Sequence, residues 1–304
     1  MLKLEGVYSV VPTPFTADLE VDYESLARVV DLFLRAGVNG MTALGVTSET
    51  ARLTEQERAS VLSAILKQVK GRIPVVAGTT AEGTHLCVEY SRAAETAGAA
   101  AVMVSPPRMP RLNSQAILRH YHVLAKKIAI PVVVQDYPPI SGYHMEPALL
   151  VQIAREIPTA RTIKLEDAPT PFKAARILEQ AGDLEIRIFG GLGGVYLLEE
   201  LTSGATGAMT GFAYPEILLE VVRLFHSGHV DRASDVFYRH VALMRFEFQE
   251  GIGMAIRKEM LHRRGAIAHT AVRPPGAGLD DSTRKALDQL LNWYRKAGSP
   301  WISG

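Results

Sequence analysis

The sequence predicts a (β/α)8 TIM barrel with a C-terminal helical extension, and three observations lead there. Eight short apolar runs, each followed by an amphipathic stretch of helical length, alternate through the first two-thirds of the 304 residues. Runs such as Val132-Val133-Val134 are continuous rather than alternating, as expected of parallel strands covered on both faces. The first strand-to-helix loop, residues 12–22, contains no glycine. An open doubly wound sheet would be expected to carry a glycine-rich phosphate turn after an early strand.

In chain order the predicted strands are residues 7–11, 40–44, 74–78, 101–105, 132–137, 161–165, 186–190 and 207–210. The predicted helices are residues 22–36, 54–70, 84–97, 114–128, 146–156, 171–180, 195–202 and 215–225. Thr54 stands three residues before Glu57, the spacing of a capping box, and Gly71 closes the same helix. Ser114 precedes another helical run, and Gly37, Gly98 and Gly182 lie just past the ends of three more. The rhythm stops near residue 228. Helical patterns over 231–250, 252–264 and 282–296 follow, with the link Arg273-Pro274-Pro275-Gly276-Ala277-Gly278 before the last. Residues 1–227 therefore read as the catalytic barrel and 228–304 as a helical segment packed on it.

Composition narrows the class of function. Hydrophobic residues make up 47% and charged residues 21%, ample for a core and against wholesale disorder. With 33 basic and 32 acidic side chains the net charge is +1, which gives no electrostatic reason to expect nucleic acid or an anionic membrane as partner. The N-terminal Met1–Val10 segment lacks the apolar region of a signal peptide, and no run is long enough to span a bilayer. A cytoplasmic enzyme or binder is the default. Cys87 is the sole cysteine, which excludes an internal disulfide and any CxxC site, and reads as a packing residue. No metal site is expected. His120 and His122 point in different directions on a helix, Gly228 interrupts the His226/His229 pair, and no HExxH occurs.

Chemistry in such a barrel sits at the C-terminal ends of the strands. Lys164 is the unusual residue there. In Thr162-Ile163-Lys164-Leu165-Glu166, alternation puts Lys164 on the face opposite Ile163 and Leu165, pointing into the barrel near its mouth. Desolvation disfavours an ammonium, and the free amine is a nucleophile for carbonyl carbon. The alternative is a lysine that snorkels to solvent. Gly45-Val46-Thr47-Ser48-Glu49-Thr50, after the second strand, suits either an anion-binding nest or a set of turn and capping residues. Gly190-Gly191-Leu192-Gly193-Gly194, after the seventh, either admits a ligand to the backbone or makes a tight turn. Gln135 and Tyr137 end the fifth strand two residues apart and share a face. Tyr137 is either a proton donor and acceptor or a packed aromatic.

Taken together these features resemble the dihydrodipicolinate synthase / N-acetylneuraminate lyase family. The resemblance spans nearly the whole chain. It rests on Pro12-Thr13-Pro14-Phe15, the Gly45–Thr50 loop, Val104-Ser105-Pro106, the strand end at Pro138, Ile163-Lys164, Gly207-Ala208-Met209 and the helical tail. It implies a barrel with a C-terminal helical segment, assembled as a homo-oligomer, a tetramer of paired dimers or a dimer. It also implies that Lys164 forms a Schiff base with pyruvate or another 2-oxo acid, with no cofactor beyond that covalent imine. Val46 and Thr47 would bind the 2-oxo acid carboxylate through backbone N–H groups, and Gln135, Gly190 and Met209 would line the pocket.

The departures from the family pattern are informative. Val46 and Ser48 replace a hydroxyl residue and a glycine of the family loop. Gln135 stands where the general acid/base tyrosine is expected, and Tyr137 matches a second tyrosine found in some sugar-acid aldolases. Ile140 stands where the synthases carry an arginine for a carboxylated aldehyde. Pro107 and Arg108 replace a tyrosine pair, one of which reaches a neighbouring subunit. The resulting expectation is aldol-type cleavage or condensation, or dehydration, of a 2-oxo-3-deoxy acid, with catalytic roles for Lys164, Tyr137 and Thr47. The alternatives are an authentic dihydrodipicolinate synthase with an altered relay and a non-catalytic barrel that binds a 2-oxo acid.

Overall fold

The structure, a computed structural model, describes residues 3–302. Eight parallel strands close into a barrel in sequential order. They are β1 (Gly6–Val10), β2 (Gly40–Ala43), β3 (Val75–Gly78), β4 (Ala101–Val104), β5 (Val132–Asp136), β6 (Thr162–Leu165), β7 (Arg187–Gly190) and β8 (Gly207–Thr210). The outer layer is α1 (Tyr23–Ala36), α2 (Glu55–Val69), α3 (Thr84–Ala97), α4 (Ser114–Ala125), α6 (Pro147–Glu156), α7 (Thr170–Ala181), α8 (Leu197–Thr202) and α9 (Pro215–His226), and the single turn α5 (Pro138–Ser141) lies at the barrel mouth after β5. Three further helices follow, α10 (Val230–Glu247), α11 (Gly253–Arg263) and α12 (Asp281–Lys296).

The strands form where period-two and continuous apolar patterns sit between turn residues, and most are fully buried. Inward-facing Tyr8, Val76, Ala101, Met103, Val133, Phe189 and Met209, with Leu4 beneath, fill the barrel interior. Tyr8 meets Phe189 edge-on at 5.2 Å. The outward residues, among them Ile163, Leu165, Ile188 and Ala208, pack with the helices in a second, larger core. The interior is thus a filled core that supports the residues at the mouth.

Local signals account for most boundaries. The Asp22 carboxylate accepts from the Ser25 N–H and caps α1, and Thr54 with Glu57 forms the expected capping box on α2. Gly37 and Gly98 close their helices in the left-handed region. At the end of α2 the cap is Lys70, at φ 53°, with Gly71 following it. Helix α4 stops at Ala125, three residues earlier than its pattern suggested, with Lys126 as its cap. Strand β5 stops at Asp136 rather than Tyr137. Tyr137 instead caps α5, because Pro138 has no N–H for a ladder and starts the turn.

Ion pairs join α11 and the connection after it to the barrel. Arg264 on the α11 end binds Glu216 of α9, Lys258 of α11 binds Glu49 in the loop after β2, and Arg273 binds Glu57 of α2. No helix of the described residues is long and apolar enough to cross a membrane.

Candidate active site

A cavity of about 1210 Å³ opens at the C-terminal ends of the strands. Gln135, Tyr137, Val46, Thr47 and Glu166 lie in its wall, together with Arg257 from α11. Its size leaves room for a substrate larger than pyruvate.

Lys164 lies just beneath this wall. Its register pairs it with Gln135 on β5 and Phe189 on β7. Phe189 belongs to the interior cluster, while Ile163 and Leu165 face the helices, so Lys164 points inward as alternation requires. Its side chain is only 5% exposed, which removes the snorkelling alternative. Nζ lies 3.0 Å from Glu166 Oε2. Gln135 Nε2 donates to the same oxygen at 2.7 Å. An ion pair and a hydrogen bond to one oxygen thus gather these three side chains at the barrel mouth.

Glu166 was not among the residues singled out from the sequence, although the signal was present. It stands two residues after Lys164, so the same alternation turns it inward. The Glu166 N–H donates to the Asp136 carbonyl at 2.9 Å and extends the β5–β6 ladder one residue past the strand. A side chain on Gly191 would collide with it, because a Cβ there would lie 2.3 Å from Glu166 Cγ. The glycine run after β7 therefore makes room for a carboxylate in addition to making a turn, with Gly193 and Gly194 at φ 69° and 79°.

Tyr137 is half-buried, and burial with the nearby carboxylates of Glu166 and Glu250 pushes its phenol above the ordinary value. The hydroxyl consequently stays protonated at neutral pH and is available as a donor. Val46, 41% exposed, begins a 3₁₀ turn, Val46–Ser48, whose first N–H groups have no intrahelical acceptor. Ser48 anchors that turn. Its hydroxyl donates to the Val11 carbonyl at 2.6 Å and accepts from the Gly45 N–H at 3.1 Å. Thr13 Oγ1 donates to the Ser48 carbonyl at 2.7 Å, which ties the loop to the segment after β1. The substitution of Ser48 for a family glycine thus supplies a structural hydroxyl rather than a hole.

Two other expected pocket residues lie off the cavity wall. Met209 is inside the barrel, in register with Tyr8 and in one cluster with Phe189. Gly190 faces outward in register with Leu165 and Ala208, and a Cβ there would lie 1.7 Å from Glu200 Oε2. Ile140 and Arg108, which replace the family's arginine and one of its tyrosines, both reach the cavity wall. Cys87 is buried, and burial pushes its thiol up to about 11, as for a packing cysteine. His120 is buried beside Thr84, and desolvation pushes it down to about 4, so it is neutral and structural. Among the described residues no group of three or more His, Cys, Asp or Glu is placed to hold a metal ion.

Comparison with known proteins agrees with this geometry. The model of the dihydrodipicolinate synthetase family matches residues 3–293. The L-2-keto-3-deoxyarabonate dehydratase of Azospirillum brasilense is 32% identical over 93% of this chain and 92% of its own. The 4-hydroxy-tetrahydrodipicolinate synthase of Methanothrix thermoacetophila is 28% identical over 94% of this chain and 95% of its own. Among solved structures, dihydrodipicolinate synthase from Rhodopseudomonas palustris superposes with a TM-score of 0.89 at 34% identity, covering 95% of this chain and 97% of that one. A closed eight-stranded barrel, a buried lysine at the end of its sixth strand and a family match over almost the entire length converge on one conclusion: the chain belongs to the dihydrodipicolinate synthetase family and is a lyase of that family.

Proposed function

We propose that this protein dehydrates a 2-oxo-3-deoxy sugar acid through a Schiff base at Lys164. The observation that carries the reading is a lysine buried at the barrel mouth, its Nζ within 3.0 Å of a carboxylate oxygen. The Lys164 amine attacks the C2 carbonyl of the acid, and water leaves as the imine forms. The positive imine nitrogen then acts as an electron sink for the bond to a C3 proton. The N–H groups of Val46 and Thr47 hold the C1 carboxylate, and Tyr137 donates to the hydroxyl that departs from C4.

Two findings favour dehydration over condensation with a carboxylated aldehyde. Ile140 lines the cavity where the family resemblance places an arginine for such an aldehyde. The relative at 32% identity is itself a dehydratase of a keto-deoxy sugar acid. Incubation with pyruvate and borohydride, followed by intact mass, tests the imine. Wild-type protein is expected to gain one reduced pyruvate adduct and Lys164→Ala none; an adduct of equal yield in the variant would move the chemistry to another residue. A panel of 2-oxo-3-deoxy sugar acids, 4-hydroxy-2-oxo acids and aspartate semialdehyde then identifies the reaction. Turnover of the semialdehyde alone would favour the synthase reading.

A further inference from the structure

Gln135 raises a question that the Schiff base alone does not answer. An amide cannot take up or release a proton at neutral pH. Some other group must remove the C3 proton once the imine has formed. Glu166 has the position for it. Its Oε2 is 3.0 Å from Lys164 Nζ, and C3 of a bound 2-oxo acid lies two bonds from that nitrogen. Gln135 Nε2 donates to the same oxygen at 2.7 Å, which fixes the carboxylate's direction. The backbone bond to Asp136 fixes its base, and Gly191 leaves the space it occupies. The side chain is 10% exposed, so bulk water competes little for its lone pairs.

Building on the Schiff-base reading, we propose that Glu166 is a catalytic residue, the base that removes the C3 proton from the Lys164-bound 2-oxo acid. The C3–H electron pair forms the C2=C3 bond, and the imine π pair moves to nitrogen. The products are a neutral enamine and a protonated Glu166. The enamine nitrogen pair then re-forms the C=N bond, the C2=C3 pair shifts to C3=C4, and the C4–O bond breaks. The proton held by Glu166 passes to the departing hydroxyl by way of the Tyr137 phenol, so water leaves and the carboxylate is restored. Addition of water to the conjugated imine releases the unsaturated 2-oxo acid and frees the amine. No oxidant, reductant or metal is required. Gln135 is a positioning residue that acts through Glu166.

Pyruvate separates this step from the rest, because its methyl protons exchange with solvent deuterium only through the enamine. The experiment follows that exchange by proton NMR in wild type, Glu166→Gln and Glu166→Ala, with end-point borohydride trapping of pyruvate in each. The expected result is an adduct at Lys164 in all three, with exchange slowed about a hundredfold in both variants. Formate should restore exchange in Glu166→Ala in proportion to its concentration, which a merely structural carboxylate would not allow. Exchange within threefold of wild type in a variant that still forms the adduct would overturn the proposal. So would an adduct-forming Glu166→Ala whose slow exchange ignores formate. No adduct in wild type would instead overturn the Schiff-base reading on which the proposal stands.

Discussion

Tyr137 and Gln135 show how much chemistry turns on two positions. Gln135 faces inward from β5 and orients a carboxylate, while Tyr137, one residue beyond the strand, presents a phenol held protonated by its surroundings. If Tyr137 hands a proton to the leaving hydroxyl, Tyr137→Phe should lower kcat on a 2-oxo-3-deoxy acid about a hundredfold, with imine trapping retained. Steady-state kinetics checks this, and undiminished kcat would remove the role. Lys164 was legible because a charged residue in a strand buried on both faces calls for a reason. Glu166 obeyed the same alternation but stood past the last apolar residue, where strand patterning gives no further warning. Its Gln135 partner comes from β5, and the space it fills is left by Gly191 just after β7, separations that one segment cannot reveal.

At the scale of elements, α8 carries a buried acid behind β7. Glu200 accepts from Thr170 Oγ1 at 2.5 Å, and burial pushes its carboxyl up from 4.5 to about 8. Its folded value lies above its unfolded one, so the folded state holds the proton more tightly. Stability linked to this group is therefore full below about pH 4.5 and falls as pH rises toward 8. Glu200→Gln, which keeps the acceptor for Thr170, should flatten the decline of Tm between pH 5 and pH 8. Thermal melts across that range check it, and parallel curves for the two proteins would count against it. The helix itself was visible in the sequence, and its buried glutamate was not. Its consequence depends on Gly190, whose missing side chain gives Glu200 its place.

Across the whole molecule, helix α11 reaches back to the loop after β2. Lys258 of α11 is fully buried; its Nζ lies 2.5 Å from Glu49 Oε1, 2.7 Å from the Ala271 carbonyl and 4.3 Å above the Phe15 ring. Glu49 sits at φ 58° between the two 3₁₀ turns of the loop that carries Val46 and Thr47. Arg52 and the Arg273 N–H bind the same carboxylate. Breaking a buried pair costs about 3–5 kcal/mol, and the remaining partners of Glu49 place Lys258→Met near the lower end. That variant should lose about 3 kcal/mol in urea unfolding and show a raised KM for the 2-oxo acid. Full stability with unchanged KM would disconnect the helical segment from the loop.

The sequence by itself determined the barrel, its eight repeats, the helical tail and the inward lysine, because periodicity, caps and turn residues are local and survive in one dimension. It also marked Val46, Ser48 and Gln135 as departures from a family pattern, and Tyr137 as a match to a tyrosine found in some of its members. Tertiary structure decided which of these meet. It brought Glu166 to Lys164 and Gln135, kept Met209 among the interior side chains, turned Gly190 outward and put Lys258 behind the loop after β2. Those outcomes rest on strand register and on contacts between residues distant in the chain. Closing the sheet fixes them, whereas local patterning sets only the face on which each side chain stands.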